Sequence, residues 1–314
     1  MITTKNFDLS IPFTLLFTSG SSSTPKLALH SGNNHLYSAF ALQKTLPLQK
    51  GDSWLFSMPM YHVSGIAILF RCFLHGASIF LPKKTKNPFK RITHASFVDT
   101  QFKRANVEEL SSLQCLLIGG GPIAKATYKL CQKHRLNAYF TYGLTEMSSH
   151  VSITKQPVFS SKGVSFGFSH EHAEIQTKKG VLYVRGKTRF LGYSPFLLNN
   201  EEWFCTKDLA TIDKNGLLFI QGRKDRQFNS GGENIQPEEI EKALIEIDGI
   251  ISAKVLPKPC QTYGIRPIAV VKRTKNLSEK SIKKSLTNIL PNYKIPDKIL
   301  FEEKQNSPLQ GKFF

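Results

Sequence analysis

Apolar and polar positions change rhythm twice along this 314-residue chain. As far as about residue 143, short apolar runs alternate with stretches of helical spacing. "FTLLFTSG" (13–20) predicts a buried strand turning at Gly20 into a polar loop. "GNNHLYSAFALQKTL" (32–46) has helical spacing at Leu36, Ala39, Phe40 and Gln43. "DSWLFSMP" (52–59) and "ASIFLP" (77–82) predict strands, and "SGIAILFRCFLHG" (64–76) predicts a helix ending near Gly76. "QCLLIGGG" (114–121) predicts a strand entering a glycine turn. "PIAKATYKLCQKH" (122–134) follows as a helix with Pro122 in its first turn, and "NAYFTYG" (137–143) as another strand. This alternation predicts a largely parallel α/β sheet.

From about Gly163 the rhythm becomes that of hairpins. "HAEIQTKKGVLYVRG" (172–186) and "LATIDKNGLLFIQG" (209–222) carry Lys-Lys-Gly and Lys-Asn-Gly at their turns. After Gly222 a third unit begins. "QPEEIEKALIEIDG" (236–249) is an amphipathic helix with Ile240, Ala243, Leu244 and Ile247 on one face and Gly249 as its stop. Strands "ISAKVLP" and "IRPIAVVKR" follow. Then come a helix from Ser278 with Ile282, Leu286 and Ile289 facing inward, and a last strand, "KILFEE". The expected organisation is an α/β subdomain over 1–162, a β-rich subdomain over 163–224 and an α+β domain over 225–314. The boundary falls in the charged segment "GRKDRQF".

Composition adds limits. A hydrophobic fraction of 40% is that of a globular chain. No stretch approaches the ~20 apolar residues of a membrane span; the best, residues 64–81, is broken by Arg71, His75 and Gly76. No secretory leader pattern is visible. Five scattered cysteines, none spaced as CxxC, argue against a disulfide framework or a zinc site and suit a reducing cytoplasm. The net charge of +19 could serve nucleic acid. With no arginine-rich arm and no aromatic-interleaved basic stripe, steering of a polyanionic small molecule such as a nucleotide is the simpler use.

"FTSGSSSTPK" (17–26) is chemically suited to phosphate: small residues, backbone N–H groups, hydroxyls and a closing Lys26. It is no Walker loop, because Pro25 precedes the lysine and Leu27 follows it. Alone it reads as readily as an exposed serine-rich turn. In sequence with "MPMYHVSG", "GGGP", "TYGLTE", "WFCTKD", "GRKDRQFNSGGENIQPEEIE" and the terminal "QGK" it resembles the adenylate-forming superfamily of acyl-CoA synthetases, luciferases and adenylation domains. The resemblance runs from Phe13 to Lys312. Within the superfamily, "MPMYHVSGIAILFRCFLHGA", "NSGGENIQPEEIE" and "YGIRPIAVV" are most similar to the o-succinylbenzoate–CoA ligases of menaquinone biosynthesis.

That resemblance implies an α/β adenylate-forming fold and an enzyme that takes a small carboxylic acid, ATP, Mg²⁺ and coenzyme A. It implies β- and γ-phosphate contacts from Thr18, Ser19, Gly20, Ser21, Ser22 and Lys26. It implies an adenine site of Gly119, Gly120, Gly121, Tyr142 and Gly143. Thr145 would meet the α-phosphate and Glu146 the magnesium, a hard cation that takes carboxylate oxygen. Asp208 and Arg223 would hold the ribose, Asp225 would be a hinge, and Gly231 and Gly232 would line the coenzyme A tunnel. His62, Ser64 and Arg71 would line the acyl site. Lys312 would bridge acyl carboxylate and α-phosphate as charge builds. The family has glycine where this chain has Ser23 and Lys207.

Arg71 raises its own question. A guanidinium in an apolar helix needs an anion, either an internal carboxylate or the second carboxylate of a dicarboxylic substrate. The resemblance also implies a longer stretch before the phosphate loop than the dozen residues here. An N-terminally reduced α/β subdomain with exposed apolar surface is therefore expected. An acid–CoA ligase of broader range and a non-catalytic nucleotide-binding relative are the alternatives.

Overall fold

Five short strands build a parallel sheet in the order Ser78–Phe80, Ser53–Leu55, His94–Phe97, Cys115–Ile118, Ala138–Leu144. Ser149–Thr154 and Phe168–Ser169 extend it antiparallel to seven strands. The computed structural model describes residues 8–18, 26–81, 88–198 and 202–302. Ser19, Gly20, Ser21, Ser22 and Lys312 lie outside the described residues.

The middle strands His94–Phe97 and Cys115–Ile118 are buried on both faces, as helix-covered parallel strands must be. Leu116 and Ile118 point into a core with Phe97, Phe102 and Phe140. Cys115 and Leu117 point the other way, toward Trp54 and Ile68. That is the two-residue period of a strand. The hairpins Glu174–Lys178/Val181–Arg185 and Phe204–Ile212/Leu218–Arg223 form a four-stranded antiparallel sheet. Its Leu182, Val184 and Leu218 join the first of those cores. Residues from Ile235 to Ile299 close a separate core around Ile240, Leu244, Val255 and Val271. There, helices Pro237–Ile245 and Glu279–Thr287 pack with the hairpin Ile250–Cys260/Gly264–Arg273 and the parallel strand Lys298–Phe301.

Several expectations are corrected. Pro12–Thr18 pairs antiparallel with Lys26–Ser31 in a separate four-stranded sheet with Gly192–Tyr193 and Phe196–Leu197. It is also not a buried strand: Phe13, Leu15 and Phe17 are exposed, Phe17 at 68%, while Leu16 and Thr18 point inward. Strands Lys26–Ser31, His94–Phe97 and Ser149–Thr154 were not expected. Each carries His, Ser or Thr at buried positions, which hides the apolar rhythm. Helix Gly32–Gln43 buries Asn34, His35, Ser38 and Leu42, whereas Phe40 and Gln43 are exposed. The helix after the glycine turn is Lys125–Lys133, so Pro122 precedes it. Ile289 lies beyond helix Glu279–Thr287 and is 57% exposed rather than facing inward. Helix Val63–His75 does end at Gly76, in the left-handed region at φ 66°.

Buried histidines make this fold acid-sensitive. Burial holds His30 at about 4, His35 at about 3 and His170 at about 4. Burial, His170 and Arg71 also push His150 well down. The unfolded chain binds these protons near pH 6.5 and the native state does not. Their neutral burial therefore favours the native state fully above 6.5 and less as pH falls toward 4, by about 1.4 kcal/mol per pH unit for each histidine. The urea midpoint is expected to be flat above pH 7 and lower at pH 5. A midpoint unchanged between pH 7 and 5 contradicts this account.

Candidate active site

Two parallel strands end side by side. Cys115–Ile118 runs into Gly119–Gly121, and Ala138–Leu144 runs into the 3₁₀ turn Thr145–Met147. The carboxyl ends of parallel strands are where α/β sheets bind ligands. Gly119 is required by its neighbour: a Cβ would stand 2.6 Å from the Thr141 carbonyl oxygen. Gly143 likewise lets the Ser149 carbonyl approach, to 2.0 Å from where a Cβ would be. Gly120 has φ 76°, while Gly121 faces open space.

After Glu146 the backbone is strained, with Ser148 at φ 52° and Ser149 at φ 115°. Such conformations are uncommon for residues with a Cβ and cluster at functional sites.

Tyr142, buried against Phe166, donates its hydroxyl to Asp208 Oδ2. Burial and Asp208 hold the phenol well above its ordinary pKa, so it stays a donor. Burial raises the Asp208 carboxyl, opposed by the bond from Tyr142 and by Arg223. Lys207, where the family has glycine, keeps a left-handed φ of 63°, so the backbone retains a shape that glycine favours.

Arg223 reaches Asp208 at 3.4 Å and grips Asp225 through Nε and Nη2, both at 2.9 Å. Three residues on, Arg226 binds Glu238 at 2.8 Å and Glu241 at 2.6 Å, both on helix Pro237–Ile245. Asp225 thus sits between one arginine tied to the hairpin sheet and one tied to the C-terminal core. Arg226 and Glu241 were not singled out from sequence; their only signal is charge beside the glycine-rich segment.

The phosphate side is only partly described. Thr18 and Lys26 are paired across the ends of residues 19–25. The Lys26 ammonium lies 5.0 Å from the Tyr193 ring, and Tyr193 donates its hydroxyl to Glu146 Oε1. His30 Nε2 meets the Thr145 carbonyl at 2.7 Å. Tyr193 and His30 were not expected either, since nothing local marks a tyrosine 47 residues from its partner.

Of the expected acyl-site residues, His62 is an exposed helix cap beside Tyr61, and Ser64 is half-buried on the same helix. Arg71 is 2% exposed. It donates to Ser149 Oγ at 3.2 Å, faces His150 Nδ1 at 3.5 Å and lies over Trp54. Among the described residues it has no carboxylate within ion-pair distance, and its Nε is buried without a partner. Gly231 and Gly232 form the two-residue turn between Phe228–Ser230 and Glu233–Ile235, with φ 60° and 90°.

The structure therefore brings Lys26, Thr145, Glu146, Tyr142, Asp208, Arg223 and Arg71 around one turn. Residues 3–194 match the AMP-binding enzyme family. The chain belongs to that family.

Among its relatives within the AMP-binding enzymes is the 2-succinylbenzoate–CoA ligase of Listeria monocytogenes. It is 28% identical over 98% of this chain and 70% of its own length. That of Oceanobacillus iheyensis is 30% identical over 91% and 65%. A variant of E. coli MenE with bound OSB-AMS superposes at a TM-score of 0.83 with 27% identity, covering 95% of this chain and 66% of its own. Bacillus subtilis MenE in complex with ATP and magnesium gives 0.82 and 27%, over 94% and 67%. The chain thus spans about two thirds of the length of the relatives it matches.

Proposed function

We propose that this AMP-binding enzyme is an ATP-dependent acid–CoA ligase acting on o-succinylbenzoate in menaquinone biosynthesis, in the cytoplasm. The observation that carries the substrate is Arg71, a buried guanidinium with no carboxylate partner among the described residues, bonded to the strained Ser149, which stands three residues after Glu146. One carboxylate of a dicarboxylic acid pairs with it while the other is activated. Relatives of this chain are 2-succinylbenzoate–CoA ligases. Free cysteines suit a reducing compartment, and among the described residues no helix is long and apolar enough to cross a membrane.

In the reaction, a carboxylate oxygen attacks the α-phosphorus of ATP and pyrophosphate leaves. Coenzyme A thiolate then attacks the acyl carbon and AMP leaves. The residues fit a magnesium nucleotide: Glu146 offers carboxylate oxygen and Thr145 a hydroxyl, both hard donors. Magnesium, when bound, neutralises phosphate charge. Tyr193 orients Glu146 through its hydroxyl. Asp208, its Oδ2 held by Tyr142 and with Arg223 beside it, would accept from the ribose hydroxyls. Lys26 and the 18–22 segment take the outer phosphates. Asp225 is the hinge on which residues 225–314 swing, bringing Lys312 for the first step and the Gly231–Gly232 turn for the second. An acid–CoA ligase of other range is the second reading, favoured if Arg71 proves indifferent to a second carboxylate.

The test is pyrophosphate release from o-succinylbenzoate, ATP and Mg²⁺, followed by thioester formation on adding coenzyme A. Lys312→Ala is expected to lower release by about 100-fold or more, the scale of removing one transition-state donor. No turnover by folded protein over a panel of acids would leave only a nucleotide-binding relative.

A further inference from the structure

We propose that His30 is a positioning residue. Its Nε2–H fixes the turn carrying Thr145 and Glu146 against the strand carrying Lys26.

A carbonyl oxygen only accepts, so the 2.7 Å contact with Thr145 puts the proton on His30 Nε2. His30 Nδ1 is then left as a bare acceptor. It is buried and has no partner among the described residues. Leaving a nitrogen unsatisfied in a fully buried ring costs stability, and an apolar side chain at this point of the strand would avoid that cost. What the histidine supplies in return is one directed bond to the turn.

The bond belongs to a clamp. The His30 ring lies 5.1 Å from that of His35, whose Nε2 meets Thr14 Oγ1 at 2.7 Å. Both strands that frame residues 19–25, Pro12–Thr18 and Lys26–Ser31, thereby reach the turn through one pair of rings. On the far side, Phe190 N–H donates to the Glu146 carbonyl at 2.9 Å. The segment following Phe190 is itself laid on Lys26–Ser31, with Leu191 N–H on the Leu29 carbonyl and Ser194 N–H on that of Leu27. The peptide groups of Thr145 and Glu146 are therefore each tied back to the strand that begins at Lys26. The position of the Thr145–Glu146 backbone relative to the strand that begins at Lys26 is set by backbone and ring contacts.

This inference rests on the reading that Thr145 and Glu146 meet the phosphates and their metal. It predicts a defect confined to the phosphate end of the nucleotide. The experiment is calorimetric titration of the full chain with Mg·ATP and, separately, with adenosine, alongside thermal melting. His30→Leu is expected to weaken Mg·ATP about tenfold, the worth of one buried directed bond. Adenosine affinity is expected to stay within about twofold. His30→Gln, whose amide N–H reaches the same carbonyl, is expected to restore Mg·ATP affinity to within about threefold of the wild type. Equal weakening of Mg·ATP and adenosine, or wild-type Mg·ATP affinity in His30→Leu, overturns the proposal. If His30→Leu does not fold, His30→Gln decides alone: folded protein with Mg·ATP weakened tenfold overturns it, and near-wild-type binding supports it. A wild-type chain that binds neither ligand removes the nucleotide reading itself, whereas one that binds both with indifferent His30 variants removes only this inference.

Discussion

Arg71→Met is expected to lower kcat/KM for o-succinylbenzoate by about 150- to 5,000-fold and to raise the melting temperature. The two effects have one cause. The guanidinium is 2% exposed, its charge is disfavoured by burial to a pKa of about 10, and its described partners are a serine hydroxyl, an imidazole and an indole face. A buried cation without an anion destabilises the fold, and methionine of similar length removes that cost. When the dicarboxylic acid binds, the anion arrives with it. Removing one partner of such a buried pair costs about 3–5 kcal/mol, which is the stated loss in rate. A monocarboxylic analogue never forms the pair and is expected to lose less than about tenfold. Parallel kinetics on the two acids, with melting curves, check this. Equal losses on both acids remove Arg71 from substrate recognition. A fall in melting temperature means the charge is satisfied within the protein.

Asp208→Asn is the second large effect. Burial raises the Asp208 carboxyl, so its ionised form is held at a cost that the Tyr142 hydroxyl and Arg223 only partly offset. The sign follows: a raised carboxyl favours the native state below its unfolded pKa, and this contribution is lost as pH rises through the higher native value. At neutral pH the asparagine removes a buried charge, keeps an acceptor for Tyr142 and leaves Arg223 its Asp225 partner. Thermal stability is expected to be unchanged or higher. ATP affinity is expected to fall about 10- to 100-fold, because two charge-assisted bonds to ribose become one neutral bond. Calorimetry and melting on the same sample separate the two outcomes. Unchanged ATP affinity places the ribose elsewhere.

Legibility from sequence followed the physics of each signal. The strand at 115–118 and the helix ending at Gly76 were readable because an unbroken apolar run and a glycine stop are local. His94–Phe97 was not, because His94 and Ser96 are polar yet buried. His94 Nδ1 meets the neighbouring Thr93 hydroxyl, and Ser96 Oγ accepts from Trp54 Nε1, a partner that only the folded sheet supplies. The apolar Phe13, Leu15 and Phe17 predict a buried strand at Pro12–Thr18, yet it is those side chains that face solvent.

The candidate site divides the same way. The order of the motifs, through their resemblance to the adenylate-forming superfamily, pointed to the family and to Glu146, Asp208 and Arg223, and the apolar helix around it singled out Arg71. A cation in an apolar helix is visible one residue at a time, whereas a carboxylate beside a glycine turn takes its meaning from the motifs that accompany it. Only the tertiary structure decided which of them act together. Tyr142 on Asp208, Tyr193 on Glu146, His30 on the Thr145 carbonyl and Ser149 on Arg71 join residues 47 to 115 positions apart. Hydrogen bonds of that span leave no periodic trace in a sequence. They are set by which strand ends the sheet brings side by side, and that depends on the packing of the whole core.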